Sequence, residues 1–215
     1  MKENRNLIIR ELAKSLVKTQ SLKFGVFKLT SGKMSSYYID LRLVPSYPKV
    51  FKRIIEMYTN IIVNEIGLSN FDLLCGIPTS GLVFASAIAY SLEKPLIYIR
   101  KDVKAHGTQK NIEGVLKPGD RVLLIDDLIT TGSSLMASAE IVLGEGGVIN
   151  DAIVLVDREE GGIENLSKSN IRVHYVAKVS ELAKELYENN IIGEEEYNAV
   201  LKQIEKGIKD FPSTP

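Results

Sequence analysis

Ile8, Leu12 and Leu16 recur every four residues near the start of the chain, and Val50, Ile54, Tyr58 and Ile61 keep a similar spacing ahead of Gly67. Both segments therefore read as amphipathic helices. Between them, FKLTSGKMSSYYIDLR (27–42) alternates apolar and polar positions around a Ser-Gly turn signal, which predicts short strands or a hood-like loop. From Phe71 onward the period changes. FDLLCG (71–76), PLIYIR (95–100), RVLLIDD (121–127), VINDAIVLVD (148–157) and IRVHYVA (171–177) are β-rich runs, and Leu82 to Leu92, Ser133 to Leu143 and Val179 to Tyr187 carry helical periodicity between and after them. Strands alternating with helices predict an α/β fold with a parallel sheet covered on both faces, whose ligands bind beyond the carboxyl ends of the strands. Tyr197, Val200, Leu201, Ile204 and Ile208 mark a final amphipathic helix, and the chain has no internal repeat or low-complexity linker. One domain over residues 1–215 is expected, with a small N-terminal hood contributed by about residues 1–45.

Composition narrows the function. In 215 residues, 45% hydrophobic and 25% charged, there is enough apolar surface for a sizeable core. Lys and Arg number 27 against 27 Asp and Glu, so no broad basic field exists for nucleic acid or a membrane surface, and any anion must be bound locally. The single cysteine, Cys75, forms no internal disulfide, and two histidines, His106 and His174, leave little for a metal cage. No apolar run approaches the ~20 residues of a membrane-spanning helix, and the charged start lacks the apolar core of a signal peptide. A cytoplasmic protein is expected.

RVLLIDDLITTGSSL (121–135) is the most informative segment. Val122 to Ile125 suit a central parallel strand, and Thr130, Thr131, Gly132, Ser133 and Ser134 then place hydroxyls and backbone N–H groups at a helix N-terminus, where unpaired donors and the helix dipole favour phosphate. Asp126 and Asp127 cannot bind phosphate, so their partners are sugar hydroxyls and Mg²⁺ waters. A ribose 5-phosphate satisfies both halves. Taken alone, the same residues also describe a strand end with capping hydroxyls and two solvated acids. Neither GxxxxGK[ST] nor GxGxxG occurs, so a P-loop nucleotide hydrolase and a dinucleotide-binding fold compete poorly. A second polar segment, RKDVKAHGTQKNIEG (100–114), concentrates Arg100, Lys101, Lys104, His106 and Lys110 in a loop long for a compact domain. Such charge suits a lid that stabilises a departing pyrophosphate, and by composition alone it equally suits a solvated surface loop.

Together these motifs give a resemblance. RVLLIDDLITTGSS resembles the phosphoribosyl-pyrophosphate (PRPP) binding motif of the type I phosphoribosyltransferases, Leu128 standing where valine is common. RKDVKAHGTQKNIEG resembles the catalytic loop of the orotate phosphoribosyltransferase family, matching at Arg100, Lys101, Lys104, His106 and Gly107. FKLTSGKMSSYYIDLR is similar to that family's hood, DAIVLVDREEGG (151–162) to its strand and loop with a base-binding arginine, and CGIPTSG (75–81) to its pyrophosphate loop. The resemblance runs from about Lys14 to Tyr187. Bacterial members commonly carry lysine where this chain has Thr30, and another in the loop where it has Thr79, Ser80 and Gly81, which places it nearer the archaeal enzymes and the orotate domain of the eukaryotic bifunctional protein.

The resemblance implies a type I phosphoribosyltransferase fold and transfer of the phosphoribosyl group from PRPP to orotate, giving orotidine 5'-phosphate and pyrophosphate in pyrimidine synthesis. It implies catalytic roles for Lys101, Lys104, His106, Asp126 and Asp127. PRPP would be bound by Arg100, Lys101, Lys104, His106 and by the run Asp126, Asp127, Leu128, Ile129, Thr130, Thr131, Gly132, Ser133 and Ser134. Orotate would meet Thr130 and Arg158, with backbone contacts from Tyr38 and Ile39. Mg²⁺ would arrive on PRPP, with no direct protein ligand, and a homodimer would share its active sites between subunits. On residues alone, Arg158 also fits an exposed ion pair with Glu159 or Glu160, and Cys75 a small buried residue. A purine phosphoribosyltransferase and a PRPP-binding regulator without catalysis are the alternatives; the cationic loop and Arg158 weigh against the first, the intact loop and balanced charge against the second.

Overall fold

The computed structural model describes residues 2–28, 32, 34–100 and 111–209. Its centre is a seven-stranded sheet. In chain order, β3 (Leu73–Gly76), β4 (Leu96–Ile99), β5 (Ile112–Glu113), β6 (Arg121–Ile125), β7 (Leu128–Ile129), β8 (Val148–Asp157) and β9 (Arg172–Lys178) build it. All pairings are parallel except β4 with β5. The long strand β8 takes β9 along one edge; along the other it pairs first with β6 and then, from Val156, with β7.

Burial on both faces explains why these strands read as continuous apolar runs. Leu74, Leu123, Ile125, Ile153 and Leu155 point into a core shared with α1 (Lys2–Lys18), α2 (Pro48–Ile61), α3 (Ser80–Leu92) and α6 (Val179–Glu188). Their neighbours Leu73, Cys75, Val122, Leu124, Ala152 and Val154 point the other way, onto Leu135, Ala139 and Val142 of α4 (Ser133–Gly144) and Leu166 of α5 (Gly162–Ser167). Alternate residues of one strand thus serve opposite cores. Cys75 is buried at a strand end as expected, and burial pushes its thiol up to about 12.

The hood is a separate antiparallel pair, β1 (Leu22–Lys28) and β2 (Met34–Ile39), with Phe24 opposite Tyr37. It is fastened at its base and along its edge. Asp40 N donates to the Ser21 carbonyl at 2.8 Å, and the Gln203 side chain of α7 (Glu194–Lys209) accepts from Ser36 N at 2.7 Å. The predicted strands and long helices are all present. Five short elements are additional: a 3-10 turn over Leu41–Ser46, a π turn over Ile62–Ile66, β5, β7 and α5.

Candidate active site

The acid pair sits in a gap between two strands that share one partner. Chain bonding to β8 continues through the gap: Asp126 N donates to the Ile153 carbonyl at 3.1 Å, and Leu155 N donates to the Asp127 carbonyl at 3.0 Å. Since the backbone is satisfied there, the two carboxylates are free to turn out at the carboxyl end of β6. The Asp126 carbonyl also accepts from the buried Tyr58 Oη at 2.7 Å, a bond from α2 that the sequence pattern did not disclose. Asp126 Oδ1 accepts from Asp127 N, and Asp127 Oδ1 from Leu128 N, both at 2.9 Å.

Burial, and then the charge of Asp127, hold the Asp126 carboxyl well above the usual carboxylate range. The close approach of α3 causes much of that burial. A Cβ on Gly81 would lie 2.6 Å from Asp126 Oδ1 and 2.7 Å from the Ile125 carbonyl, so only glycine lets the first turn of α3 meet the end of β6. At the same helix start, Thr79 and Ser80 line, together with the acids, a cavity of about 300 Å³. Helix α3 begins at Ser80, two residues before its apolar periodicity.

The cradle forms the other wall. Leu128, Ile129, Thr130, Gly132, Ser133 and Ser134 all line this cavity with Asp126 and Asp127, and the N-terminus of α4 opens into it. Gly132 has φ of 80°, a left-handed conformation that favours glycine, and a Cβ there would collide with Leu166. Gly162, which the sequence reading did not single out, fits as tightly: its Cβ would stand 2.5 Å from the Thr130 carbonyl. Asn165 Nδ2 donates to the Thr131 carbonyl at 3.0 Å, and Thr131 Oγ1 lies 3.3 Å from Ser133 Oγ. Helix α5 therefore backs the loop on which phosphate was expected. Arg42, from the turn after the hood, lines the cavity as well and is ion-paired with Asp40 at 2.7 Å; it stood in a quoted motif, with nothing in its spacing to mark it.

Arg158 is tied to both the cradle and the hood. Its backbone N donates to the Ile129 carbonyl at 3.0 Å, which ties it to the cradle, while its side chain runs to the hood. Nε donates to Tyr37 Oη at 3.3 Å, the guanidinium carbon stands 4.9 Å from the Tyr37 ring centre, and Nη2 is 2.8 Å from Glu160 Oε1. The ion pair with Glu160 is present but the residue is buried. Arg158 is not among the residues that line the cavity; neither are Tyr38 and Ile39, which belong to β2. Arg100 is ion-paired with Glu113 at 2.7 Å, and its N donates to the Asn111 carbonyl at 2.9 Å, so the ends of the cationic segment are joined by β4 and β5. Lys101, Lys104, His106, Gly107 and Lys110, like Thr30, lie outside the described residues. Among the described residues, no group of three or more His, Cys, Asp or Glu side chains could hold a metal ion.

Residues 46–181 match the family model of the phosphoribosyl transferase domain. The orotate phosphoribosyltransferase of Cenarchaeum symbiosum is 41% identical over 185 residues, 86% of this chain and 90% of that protein. The crystal structure of orotate phosphoribosyltransferase from Aeropyrum pernix superposes with a TM-score of 0.70 at 33% identity, covering 81% of this chain and 98% of that one. The structure of Leishmania donovani UMP synthase gives a TM-score of 0.82 at 33% identity over 92% of this chain, which spans 42% of that longer one. With an acid pair and a hydroxyl-rich helix start facing one cavity at the end of a parallel sheet, and with these relatives along most of its length, the chain belongs to the orotate phosphoribosyltransferases of the phosphoribosyl transferase family.

Proposed function

We propose that this chain transfers the phosphoribosyl group of PRPP to orotate at the cavity between β6, α3 and α4. The observation that carries this reading is the convergence there of two carboxylates with the donors of Thr130, Gly132, Ser133 and Ser134, the two chemistries a ribose 5-phosphate requires; Thr131 does not line the cavity. The 5-phosphate takes the start of α4; the ribose hydroxyls take Asp126 and Asp127. The pyrophosphate faces Thr79 and Ser80 at the start of α3. Orotate enters already ionised, so its base nitrogen bonds to the ribosyl C1 as the C1–oxygen bond breaks, the bonding electrons leave with pyrophosphate, and no general base is required. Positive charge accumulates on the sugar during this step, and the acid pair offsets it.

Lys101, Lys104 and His106 supply the opposite charge to the leaving group, with Arg100 at the base of their segment. Thr130 and Arg158 meet the base, and a guanidinium suits the carboxylate that separates orotate from other pyrimidines. Mg²⁺ fits as a companion of PRPP: two carboxylates are too few for a protein-built site but can bind the waters of a metal held by the diphosphate, whose charge it would neutralise. Two-fold sharing of sites in a homodimer completes the reading. Val83 and Tyr90, seven residues apart on α3, are 42% and 89% exposed, as an apolar face awaiting a second copy would be. The single cysteine and balanced charge fit the cytoplasm; among the described residues no helix is long and apolar enough to cross a membrane.

The test is a Mg²⁺-dependent turnover assay with PRPP against orotate, uracil, adenine and hypoxanthine. Consumption of orotate alone is expected. Turnover of a purine, or of no base, would replace this reading.

A further inference from the structure

A buried guanidinium cannot shed its proton, so it needs a counter-charge as long as it stays out of water. Arg158 has one, in an incomplete form. Nη2 and Glu160 Oε1 are 2.8 Å apart, yet the two groups are not aligned for a hydrogen bond, and both atoms are buried with no other hydrogen-bond partner among the described residues. Unmade hydrogen bonds at buried charged atoms are costly, and each calls for a reason, a functional role among them.

The acids near Glu160 are committed elsewhere. Glu159 Oε2 accepts from Ser180 N at 2.9 Å, and Asp157 Oδ1 accepts from Glu159 N at 2.8 Å. Glu160 is thus the carboxylate that faces Arg158, in the misaligned pose from which an arriving carboxylate with better geometry can displace it. Tyr37 holds the same guanidinium. Its ring lies under the guanidinium and its Oη accepts from Nε, which together fix the plane of the fork. Tyr37 is fully buried and belongs to the hood strand that Gln203 fastens from α7, so the plane is set by rigid elements.

We propose that Glu160 holds the place of the base's carboxylate on Arg158 until the base binds, while Tyr37 fixes the orientation of the guanidinium, making both positioning residues for selection of an anionic base. This deepens, and rests on, the assignment of Arg158 to orotate. Exchange of one carboxylate for another keeps Arg158 neutralised at every stage, and a base without a carboxylate cannot displace Glu160. The energetic consequence is specific: Glu160 stabilises the empty protein and competes with the substrate.

The experiment compares wild type with Arg158→Ala, Tyr37→Phe and Glu160→Gln. It measures KM for orotate and for PRPP, kcat, inhibition by uracil, and the thermal midpoint without ligand. Glu160→Gln should lower the thermal midpoint and lower KM for orotate several-fold, with KM for PRPP unchanged and inhibition by uracil strengthened, because the charged group that an uncharged base cannot displace is gone. Tyr37→Phe keeps the ring and should raise KM for orotate several-fold, again sparing PRPP. If Glu160→Gln does not fold, Glu160→Asp retains the charge but ends one methylene short of Arg158, and should shift KM for orotate in the same direction by less. An unchanged or raised KM for orotate in the Glu160 variants overturns the place-holding role, and an unchanged value in Tyr37→Phe overturns the orienting one. Absence of orotate turnover in wild type, or no effect of Arg158→Ala, would instead sink the reading of the site on which this rests.

Discussion

Two acids in adjacent positions meet very different surroundings. Asp126 is buried against α3 and its carboxyl is shifted upward, whereas Asp127 is only half-buried at the cavity wall. Asp126→Asn and Asp127→Asn should each lower turnover of PRPP, because a neutral amide does not offset charge developing on the ribose; loss of roughly 10²-fold or more is the scale of removing one such electrostatic group. Wild-type rates in both variants would remove the pair from the chemistry. Asp157, at the end of β8, illustrates the cost of a buried carboxyl without catalysis. Burial pushes it up to about 6, although Glu159 N donates to it at 2.8 Å. An unfolded chain releases this proton near ~3.9, so between that value and about 6 the folded protein retains a proton the unfolded one has lost. The stability this proton provides is full below the lower value and disappears as the pH rises through the upper one. Asp157→Asn keeps the acceptor oxygen and cannot ionise. Thermal midpoints measured from about pH 4 to about pH 8 should therefore fall less for the variant than for wild type, leaving the variant the more stable at the upper end. Parallel curves would show that Asp157 is ionised in the fold at no extra cost.

At the scale of elements, the cavity exists because helix starts approach strand ends more closely than any side chain permits. Gly162→Ala would drive a Cβ to 2.5 Å from the Thr130 carbonyl and the same distance from Ile129 Cγ1, forcing α5 away from the cradle. A loss of about 1–3 kcal/mol in chemical unfolding is expected for such overpacking, together with a raised KM for PRPP. Gly144→Ala is the control, since a Cβ at the end of α4 meets nothing within 4 Å and should raise stability by up to about 1 kcal/mol. Equal effects from the two would refute the role given to α5. These contacts also show what the sequence could not disclose. Strands β3, β6 and β8 and helix α4 announce themselves because burial on both faces demands continuous apolar runs, and the DD-TTGSS order marks its own chemistry. Helix α5 and strand β7 are too short to display a period. Tyr58, Tyr37 and Arg42 reach the site from positions 68, 121 and 84 residues away from Asp126, Arg158 and Asp126 respectively, and only the folded sheet brings them there. Glycine spacing, DREEGG included, was the one local signal that a close approach followed.

For the molecule as a whole, the proposed two-fold dimer makes a distinct claim about which subunit supplies the cation. Arg100 and Asn111, which flank residues 101–110, are joined at the β4–β5 edge of the sheet, at the far side of β3 from the acid pair that follows β6. A cationic segment on a protein of zero net charge has an acidic substrate as its natural partner, and in a two-fold dimer each copy can offer that segment to the other's cavity. The expectation is that Lys101 serves in the neighbouring site while Asp126 and Asp127 serve in their own. Lys101→Ala and the double variant Asp126→Asn/Asp127→Asn should each be inactive alone. Mixed under conditions of subunit exchange, they form hybrids in which one site carries both defects and the other carries none. With random pairing half the dimers are hybrids and half of their sites are intact, so about a quarter of wild-type activity should return. If mass measurement confirms the exchange and no activity returns, every site carries one defect, Lys101 acts within its own subunit, and the shared site must be abandoned.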